Sequence, residues 1–540
     1  MSPGALRRTQ VAVVGAGPVG TMTANLLGCY GIETVLVDRT TEIIDYPRAI
    51  GVDDEALRTF QAAGLVEPIL ADTIQNVPLK FFDARGRCFA DVRPTTREYG
   101  WYRRNVFVQP LAEKALRTGL ERFPHVRTML GREVVGLTQT DESATLAVRA
   151  ADGTESQLRA DYVVAADGGR STIRELLGVP LEGDTHARRW VVVDCANDPL
   201  DAPFTGLHCD PRRPYVCAHM PHDYRRWEFM LFPGEDADEM LAPELVLELL
   251  GHHVDEPEQL EVVRARVYTH HSRLASRFVV GRVLLAGDAA HLMPPWAGQG
   301  MNTGFRDASN LAWKLAACLR GQAGPGLLAT YEKERRVHAR SMIDLSTRLG
   351  RILSPTRVST AFTRDVLLRA ATIAPAVKSW VVEMKFKPLP RYEDGIVVPG
   401  PRSRREPPGV GRMFIQPDVE LDGRCVKLDE VLGAGFSVLG FECDPVSDLD
   451  QQGLEWLAGL GASVVRVVES RAGERHLRAT GRWPATVVVE DVESLLRAWF
   501  QDRAGNVVVL RPDRYVAALT TAQGLDAALA TLRERLGAAR

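Results

Sequence analysis

Residues 10–38 read QVAVVGAGPVGTMTANLLGCYGIETVLVD, and this stretch decides the fold. The apolar, β-branched run at 10–14 is typical of a buried parallel strand. The motif Gly-x-Gly-x-x-Gly follows at 15–20 and opens a stretch with helical periodicity. A second apolar run, at 34–37, ends in Asp38. Strand, glycine turn, helix and strand in this order predict a dinucleotide-binding unit.

Each glycine of the motif has a physical role in such a unit. Gly15 makes the tight turn, Gly17 lets the backbone approach a pyrophosphate, and Gly20 lets helix and strand pack closely. Free N–H groups and the helix dipole favour phosphate at the start of the helix. Asp38 can accept hydrogen bonds from ribose hydroxyls. The motif alone does not separate NAD from FAD, and Arg39 can contact the nucleotide or simply be solvated.

Two later segments extend this prediction. Residues 161–174 have the pattern of a strand, a turn and a helix start. Residues 282–291 form another apolar strand that ends in Gly287 and Asp288, and an acid at such a strand end points into the ligand crevice. The following Pro–Gly loop (residues 292–302, LMPPWAGQGMN) leads into a predicted helix. Its prolines restrict the backbone, and its glycines allow close approach.

Composition narrows the class of protein. The 540 residues carry 66 Lys+Arg and 69 Asp+Glu, a net charge of −3, which argues against a charge-driven nucleic-acid or membrane binder. Ordinary apolar and charged fractions exclude a disordered chain. The eight cysteines include no Cys-x-x-Cys pair, which argues against a zinc ribbon or dithiol and fits a reducing cytoplasm. Residues 11–32 carry no charge and in this respect resemble a membrane span. Glycines interrupt them, however, so we expect no membrane span.

The three motifs together resemble the fingerprints of the single-component FAD-dependent aromatic hydroxylases, the para-hydroxybenzoate and phenol hydroxylase class. They are GAGPVG (15–20), DGGRSTIR (167–174) and GDAAHLMPPWAGQGMN (287–302). Within the class, the chain looks most similar to the branch that acts on 3-(3-hydroxyphenyl)propionate and 3-hydroxycinnamate. The segments that carry this similarity are 45–58, 86–91, 190–199, 266–270 and 511–516. The resemblance implies hydroxylation ortho to the phenol with NADH and dioxygen, in phenylpropanoid catabolism.

The resemblance also implies the architecture: an α/β Rossmann-like FAD-binding domain interleaved with a β-sheet substrate domain, and a C-terminal thioredoxin-like domain. The expected boundaries are 1–180 (FAD-binding, with substrate-domain pieces near 75–110), 181–275 (substrate sheet), 276–390 (FAD-binding and helical), 391–411 (linker) and 412–540 (thioredoxin-like). Cys425 and Cys443 are not spaced as a dithiol. We therefore expect packing or dimerisation, not redox chemistry, from the last domain.

By the same resemblance, a set of residues is expected to hold FAD: Gly15, Gly17, Pro18, Gly20, Asp38, Arg39, Arg48, Gln109, Asp167, Gly287, Asp288 and Gly300. Arg48 resembles the class arginine at the phosphates or flavin edge, and Gln109 the glutamine near the ribityl chain. Asp288 would contact the ribityl hydroxyls or the pyrophosphate. The plainer alternatives are a surface position for Arg48, a position at a helix start for Gln109 and a turn position for Asp167.

The Pro–Gly loop is expected to form the catalytic environment of the flavin through its backbone, at Pro295, Gly298, Met301 and Asn302. Reduced flavin is anionic, and N–H groups at the start of the following helix can stabilise that charge. Pro295 would lie near the flavin face where dioxygen reacts. The protein must also exclude water there. For His291, after the Gly-Asp pair, we expect a structural hydrogen bond.

The substrate pocket must hold the acid of the substrate as well as its phenol. A propionate tail needs a cation or several donors, and the candidates are Arg188, Arg213, His208 and Tyr215. Further candidates for the acid, the phenol or a proton relay are Arg189, His219, Tyr102, Tyr268, His270 and His271. For each, surface or core packing is the alternative.

The expected partners are a small aromatic acid and dioxygen, with no nucleic acid and no membrane. A homodimer and the use of NADPH instead of NADH stay open. The alternative functions are a related FAD hydroxylase for another phenol, resorcinol or a polyketide, and a dehydrogenase that uses only the first motif.

Overall fold

The structure is a computed structural model that describes residues 7–399, 409–469, 483 and 486–537. The strands are β1 (Arg7–Val14), β2 (Thr34–Asp38), β3 (Gly51–Val52), β4 (Thr73–Gln75), β5 (Leu79–Phe82), β6 (Cys88–Val92), β7 (Asn105–Phe107), β8 (Val126–Leu130), β9 (Arg132–Gln139), β10 (Ala144–Ala150), β11 (Glu155–Ala165), β12 (Leu181–Ala196), β13 (Thr205–His208), β14 (Tyr215–Met220), β15 (Tyr224–Met230), β16 (Glu261–Ala275), β17 (Val279–Val280), β18 (Val283–Leu285), β19 (His291–Leu292), β20 (Asp418–Leu421), β21 (Arg424–Lys427), β22 (Ser437–Phe441), β23 (Ser463–Val468), β24 (Val487–Glu490), β25 (Val507–Leu510) and β26 (Val516–Thr520).

The helices are α1 (Pro18–Cys29), α2 (Asp54–Ala62), α3 (Val66–Ala71), α4 (Gln109–Gly119), α5 (Thr172–Leu176), α6 (Pro243–Gly251), α7 (Gly300–Leu319), α8 (Ala329–Leu353), α9 (Val358–Ile373), α10 (Pro375–Val382), α11 (Leu428–Leu432), α12 (Gln451–Gly459), α13 (Leu495–Gln501) and α14 (Leu525–Leu536). Among the described residues, no helix combines the length and apolarity needed to cross a membrane.

The first sheet is the nucleotide-binding sheet that the sequence predicted. Its order is β17-β18-β11-β1-β2-β8, with β10 and β9 added beside β11. β1 is parallel to both β2 and β11, and β18 is parallel to β11. The strand ends of the three motifs therefore lie side by side at one edge, where ligands bind in such sheets.

The second sheet has the order β19-β16-β12-β15-β14-β13-β5-β6, so strands from residues 79–92 and 291–292 join those of 181–275. Side chains alternate between its two faces. Val191, Val193 and Cys195 pack with α6 on what we call the outer face. Trp190 packs on the opposite, inner face, with Trp296 of the Pro–Gly loop and Leu353 of α8. The inner face is therefore the one that meets the nucleotide-binding part.

The C-terminal domain is built on a third sheet, of order β21-β20-β24-β23-β22-β25-β26. Parallel β22, β23 and β24 continue into the antiparallel pair β25 and β26. This fits the predicted thioredoxin-like domain. Cys425 is exposed and Cys443 half-buried, and both are free thiols. Of the predicted linker, residues 400–408 lie outside the described residues.

Buried ion pairs join this domain to the rest of the chain. Arg511, directly after β25, donates to both carboxylate oxygens of Glu334 in α8 at 2.8 Å. Lys314 of α7 donates to the same carboxylate at 2.7 Å. All three side chains have no exposed surface. The arginine and lysine hold the pKa of Glu334 far below its ordinary value, so the cluster is charged.

We predict that Arg511→Ala lowers stability strongly, because it leaves a buried carboxylate short of its main partner. Breaking a buried pair in this way costs about 3–5 kcal/mol. The matched control is Arg212→Ala, which removes an arginine that pairs with Asp210 while 81% exposed, and surface changes of this kind stay within about 0.5 kcal/mol. Thermal unfolding of the three proteins measures the difference. Equal unfolding midpoints for the two variants would contradict a stabilising role of this junction.

Candidate active site

The glycine turn after β1 has the shape that a phosphate group needs. Gly15 has φ +104°, and a Cβ on it would lie 2.3 Å from the carbonyl oxygen of Ala166. A Cβ on Gly20 would lie 1.9 Å from the oxygen of Gly15, whereas one on Gly17 would meet nothing within 4 Å. α1 starts at Pro18 without a side-chain cap. Its free N–H groups and the space above Gly17 fit a diphosphate.

Asp38 ends β2 beside this turn. Its Oδ2 accepts a hydrogen bond from the Ala16 N–H at 2.6 Å, and its Oδ1 accepts one from the Thr40 N–H at 2.7 Å. These bonds fix the carboxylate, which keeps lone pairs for further donors. The side chain is partly exposed, and the neighbouring Arg39 is exposed. The arrangement fits a ribose at the end of the strand.

Three residues that are far apart in the chain meet here: Arg48, Gln109 and Asp288. Its guanidinium lies 3.3 Å from Asp288 Oδ2. The Oε1 atom of buried Gln109 accepts from the Arg48 N–H at 3.0 Å and from the Ala49 N–H at 2.5 Å. Gln109 in turn donates to Glu113 at 2.7 Å. The glutamine amide is thus used within the protein, where it fixes the backbone that carries Arg48.

Sequence reasoning missed Arg226, which also holds this segment. Its guanidinium donates to the carbonyl oxygens of Pro47 and Arg48, the latter at 2.9 Å. It pairs with Asp194 of β12 at 2.7 Å. The detectable signal was an acid, Asp194, within the apolar run of β12 and a pair of adjacent arginines in β15. Arg226 and Asp194 together tie the inner face of the second sheet to the Arg48 segment.

The Asp-Gly motif after β11 has a structural role. Asp167 accepts from the Ser171 hydroxyl at 2.5 Å and from the Ile173 N–H at 3.1 Å, so it stabilises the start of α5. Burial raises the pKa of this carboxyl. Arg174 was not singled out from the sequence, yet it donates to the Ala289 carbonyl at 3.2 Å and so links this motif to the Gly-Asp motif.

A side chain of α7, Asp307, holds the Gly-Asp turn in place. Gly287 has φ +60°, and its N–H donates to Asp307 Oδ2 at 3.1 Å. The same carboxylate lies 2.7 Å from His291 Nε2, and its other oxygen accepts from Arg335 at 2.9 Å. His291 is fully buried. The expected structural hydrogen bond of His291 is thereby confirmed.

The Pro–Gly loop joins α7 after Gly298, which has a left-handed backbone conformation and is hydrogen-bonded by the side chain of Asn302. One turn of 3₁₀ helix at Pro295–Ala297 ends at Gly298, with φ +62°. The Asn302 amide donates to the Gly298 carbonyl at 2.6 Å and to the Gly51 carbonyl at 3.1 Å. Met301 is half-buried against the core. α7 starts at Gly300 without a side-chain cap, so its first N–H groups are available to an anion.

Trp296 fixes the loop against the second sheet. Its ring lies 4.5 Å from Trp190 and 5.0 Å from His270, measured between ring centres. A Cβ on Gly350 of α8 would lie 2.4 Å from Trp296 Nε1, so the glycine makes room for the indole. Burial lowers the pKa of His270 to about 3, and the imidazole is neutral near pH 7.

A cavity of about 410 Å³ opens beside this loop. The residues that line it are Asp184, Thr185, His186, Arg188, Trp190, His270, Pro294, Trp296, Thr347, Gly350, Arg351 and Ser354. Arg188, predicted as a substrate residue, is among them and donates to the Ser354 carbonyl at 3.1 Å. Aromatic walls with two arginines suit a small aromatic anion.

The other three substrate candidates lie elsewhere. Arg213 pairs with Glu235 at 2.5 Å. The rings of His208 and Tyr215 stack 4.1 Å apart, and Tyr215 belongs to the outer-face cluster under α6. Burial lowers the pKa of His208 to about 3. Sequence alone could not tell on which face of the sheet these residues lie, and the structure does not bring them to the Pro–Gly loop.

The remaining candidates also have partners within the protein. They are Arg189 with the Glu235 carbonyl, His219 with Asp198, Tyr102 with Arg97, Tyr268 with Arg264, and His271 with Thr185.

Comparison with known proteins identifies the family of the chain. Residues 8–346 match a family model described as FAD binding domain, and residues 411–535 match one described as HcaD C-terminal domain. A 3-(3-hydroxy-phenyl)propionate/3-hydroxycinnamic acid hydroxylase of Burkholderia vietnamiensis is 54% identical, over 97% of this chain and 96% of its own length. The enzyme of that name from Klebsiella pneumoniae is 46% identical, over 99% and 96% respectively.

Solved structures have the same fold over the whole chain. Aklavinone-11 hydroxylase in a ternary complex with FAD and aklavinone has a TM-score of 0.76 and 26% identity, over 99% of this chain and 100% of its own. The flavin-dependent monooxygenase PieE, in complex with FAD and substrate, has a TM-score of 0.79 and 23% identity over the same shares. The chain therefore belongs to the family of FAD-dependent aromatic hydroxylases.

Proposed function

We propose that this protein hydroxylates 3-(3-hydroxyphenyl)propionate and 3-hydroxycinnamate ortho to the phenol, giving 2,3-dihydroxy products. NADH supplies two electrons, one atom of dioxygen enters the ring, and the other leaves as water. The observation that carries the proposal is the 54% identity, over nearly the full length, to a hydroxylase named for these two acids. A cytoplasmic location and a homodimer stay predictions from the sequence.

The nucleotide half of FAD fits the residues around the first motif. We assign the diphosphate to the start of α1 at Gly17 and Pro18, and the ribose to Asp38. The Arg48–Asp288 pair would face the ribityl chain or the flavin edge, with Gln109 and Arg226 holding Arg48 in place. Bound FAD supplies the redox chemistry with NADH and dioxygen.

The Pro–Gly loop would shape the reacting end of the site. The uncapped N–H groups at Gly300 and Met301 can stabilise negative charge beside the helix start. Asn302 holds Gly298 in its left-handed conformation, and Trp296 anchors Pro295 to the sheet. These contacts would keep the backbone donors fixed at the reacting end of the site.

We assign the carboxylate of the substrate to the cavity beside Trp296. Arg188 and Arg351 are cations there, and Trp190 provides an apolar wall. An anion in such a place is bound by charge-assisted hydrogen bonds. His208, Tyr215 and Arg213 are left out of this proposal because their partners lie away from the cavity.

We expect Asp288→Ala to lose bound FAD before it loses its fold. The change removes the acceptor facing the cofactor and the ionic partner of Arg48. A loss of a charge-assisted contact corresponds to weaker binding by about tenfold or more. FAD content per chain, from the visible absorbance of the purified protein, gives the readout, with circular dichroism as the check on folding.

The matched control for this variant is Asp161→Ala, which removes a carboxylate paired with the exposed Arg8. This control should keep its FAD. Full FAD occupancy in Asp288→Ala would show that the assignment of Asp288 is wrong.

The proposed activity is tested by a panel of phenols, with NADH oxidation and product identity as readouts. 3-(3-hydroxyphenyl)propionate and 3-hydroxycinnamate should stimulate NADH oxidation about tenfold or more, and resorcinol and phenol much less, since these lack a carboxylate for Arg188 and Arg351. A preference for resorcinol or phenol would contradict the proposed substrates and assign the enzyme to another substrate class. No product from any phenol would end the hydroxylase assignment.

A further inference from the structure

Glu228 is the one acid of β15, which reads YRRWEFM and also carries Arg225 and Arg226. It pairs in register with Val192 of β12 and with Val216 of β14. Its neighbours Trp227 and Phe229 pack on the outer face with α6. Because side chains alternate along a strand, Glu228 points to the inner face.

One end of this inner face contacts the Pro–Gly loop, and the other end contacts the segment that carries Arg48. Met230 pairs in register with Trp190, whose ring packs on Trp296 of the Pro–Gly loop. Arg226 holds the Pro47–Arg48 backbone at the other end. Residues two apart on one strand are about 7 Å apart. Glu228 therefore lies midway between the loop that shapes the reacting end and the segment that carries Arg48.

The Glu228 carboxyl has no hydrogen bond or ion pair with any residue that the structure describes. Arg226, the nearest cation on its own strand, is already engaged by both oxygens of Asp194, at 2.7 and 2.9 Å. The side chain is half-buried, so its carboxyl is neither fully enclosed nor fully exposed. A half-buried carboxylate without a partner in the protein has acceptor positions open to a ligand that donates a hydrogen bond.

The electrostatic surroundings suit a proton acceptor. Burial raises the pKa of Glu228, Arg226 opposes this rise, and Asp194 adds to it. A carboxylate with a raised pKa takes a proton more readily than an ordinary one and still ionises before the phenol does.

We propose that Glu228 is a catalytic residue that binds the phenol hydroxyl of the substrate and accepts its proton. This inference rests on the proposed function. The phenol O–H bond breaks, the proton passes to a carboxylate oxygen, and the electron pair stays on the substrate oxygen and enriches the ortho carbon. After the new C–O bond forms with an atom from dioxygen, the ortho carbon loses its hydrogen as a proton. Glu228 then returns its own proton to the original oxygen.

The test uses the FAD-loaded enzyme and the variant Glu228→Gln, which keeps the size and polarity of the side chain but cannot take a proton. FAD content and the rate of flavin reduction by NADH should stay within about twofold of the unmodified enzyme. Product per NADH should fall by about tenfold or more, with hydrogen peroxide in its place. Product should recover as the pH approaches about 10, where a phenol ionises unaided.

Two further variants make the result decisive. Glu228→Asp retains a proton acceptor and should couple NADH to product better than Glu228→Gln does. Glu235→Gln, a control whose carboxylate pairs with Arg213, should couple normally. Normal coupling in Glu228→Gln, or equal losses in the Asp and Gln variants, would overturn the proposal. If the unmodified enzyme forms no product from any phenol, the proposed function fails instead, and the two failures are thereby distinguished.

Discussion

The burial of charge on α7 is the constraint on which the rest of this structure depends. The helix is almost entirely inside the protein, yet it carries charged and amide side chains along its length. An unpaired buried charge costs several kcal/mol, so each must meet a fixed partner. The residues concerned are Asn302, Arg306, Asp307, Asn310 and Lys314. Their partners lie at the start of α2, in the Gly-Asp turn, in the Pro–Gly loop, in α8 and in the C-terminal domain.

The hydrogen bonds and ion pairs of these side chains explain how segments distant in the sequence are held together. Asp307 holds the Gly-Asp turn, and Asn302 holds both the Pro–Gly loop and β3. Arg306 pairs with Asp53 and Glu55 at the start of α2, at 2.5 and 2.8 Å. Asn310 and Lys314 share Glu334 with Arg511 of the C-terminal domain. These contacts join the C-terminal domain to the helix that begins at the Pro–Gly loop.

The sequence predicted the elements well and the tertiary contacts less well, for physical reasons. Apolar runs and glycine motifs mark strands and turns locally, so the nucleotide-binding unit followed from residues alone, whereas the substrate sheet followed from the family resemblance. The face on which a side chain lies depends on strand register and on what packs above it, and periodicity does not reveal which face meets the site. His208 and Tyr215 were selected for their chemistry, whereas Glu228 was missed because a single acid in a strand resembles an exposed position.

The same limit applies to side chains whose partners are distant in the sequence. Asp167 has the motif of a cofactor ligand, and the structure uses it to start a helix. Arg226 is one of three charged residues in β15, so the sequence does not single it out, and its contacts with Pro47 and Arg48 depend on the packing of two sheets. The sequence therefore predicted which segments form the site, and the structure decided which side chains within them face it.

Mass spectrometry of the product formed under ¹⁸O₂ tests most directly whether this cleft hydroxylates a phenol. The FAD-loaded protein is incubated with NADH and 3-(3-hydroxyphenyl)propionate in unlabelled water. The structure and its relatives lead us to expect a 2,3-dihydroxy product that carries a single ¹⁸O atom on the ring. Consumption of NADH with the substrate returned unchanged, or a product whose new oxygen comes from water, would contradict this function.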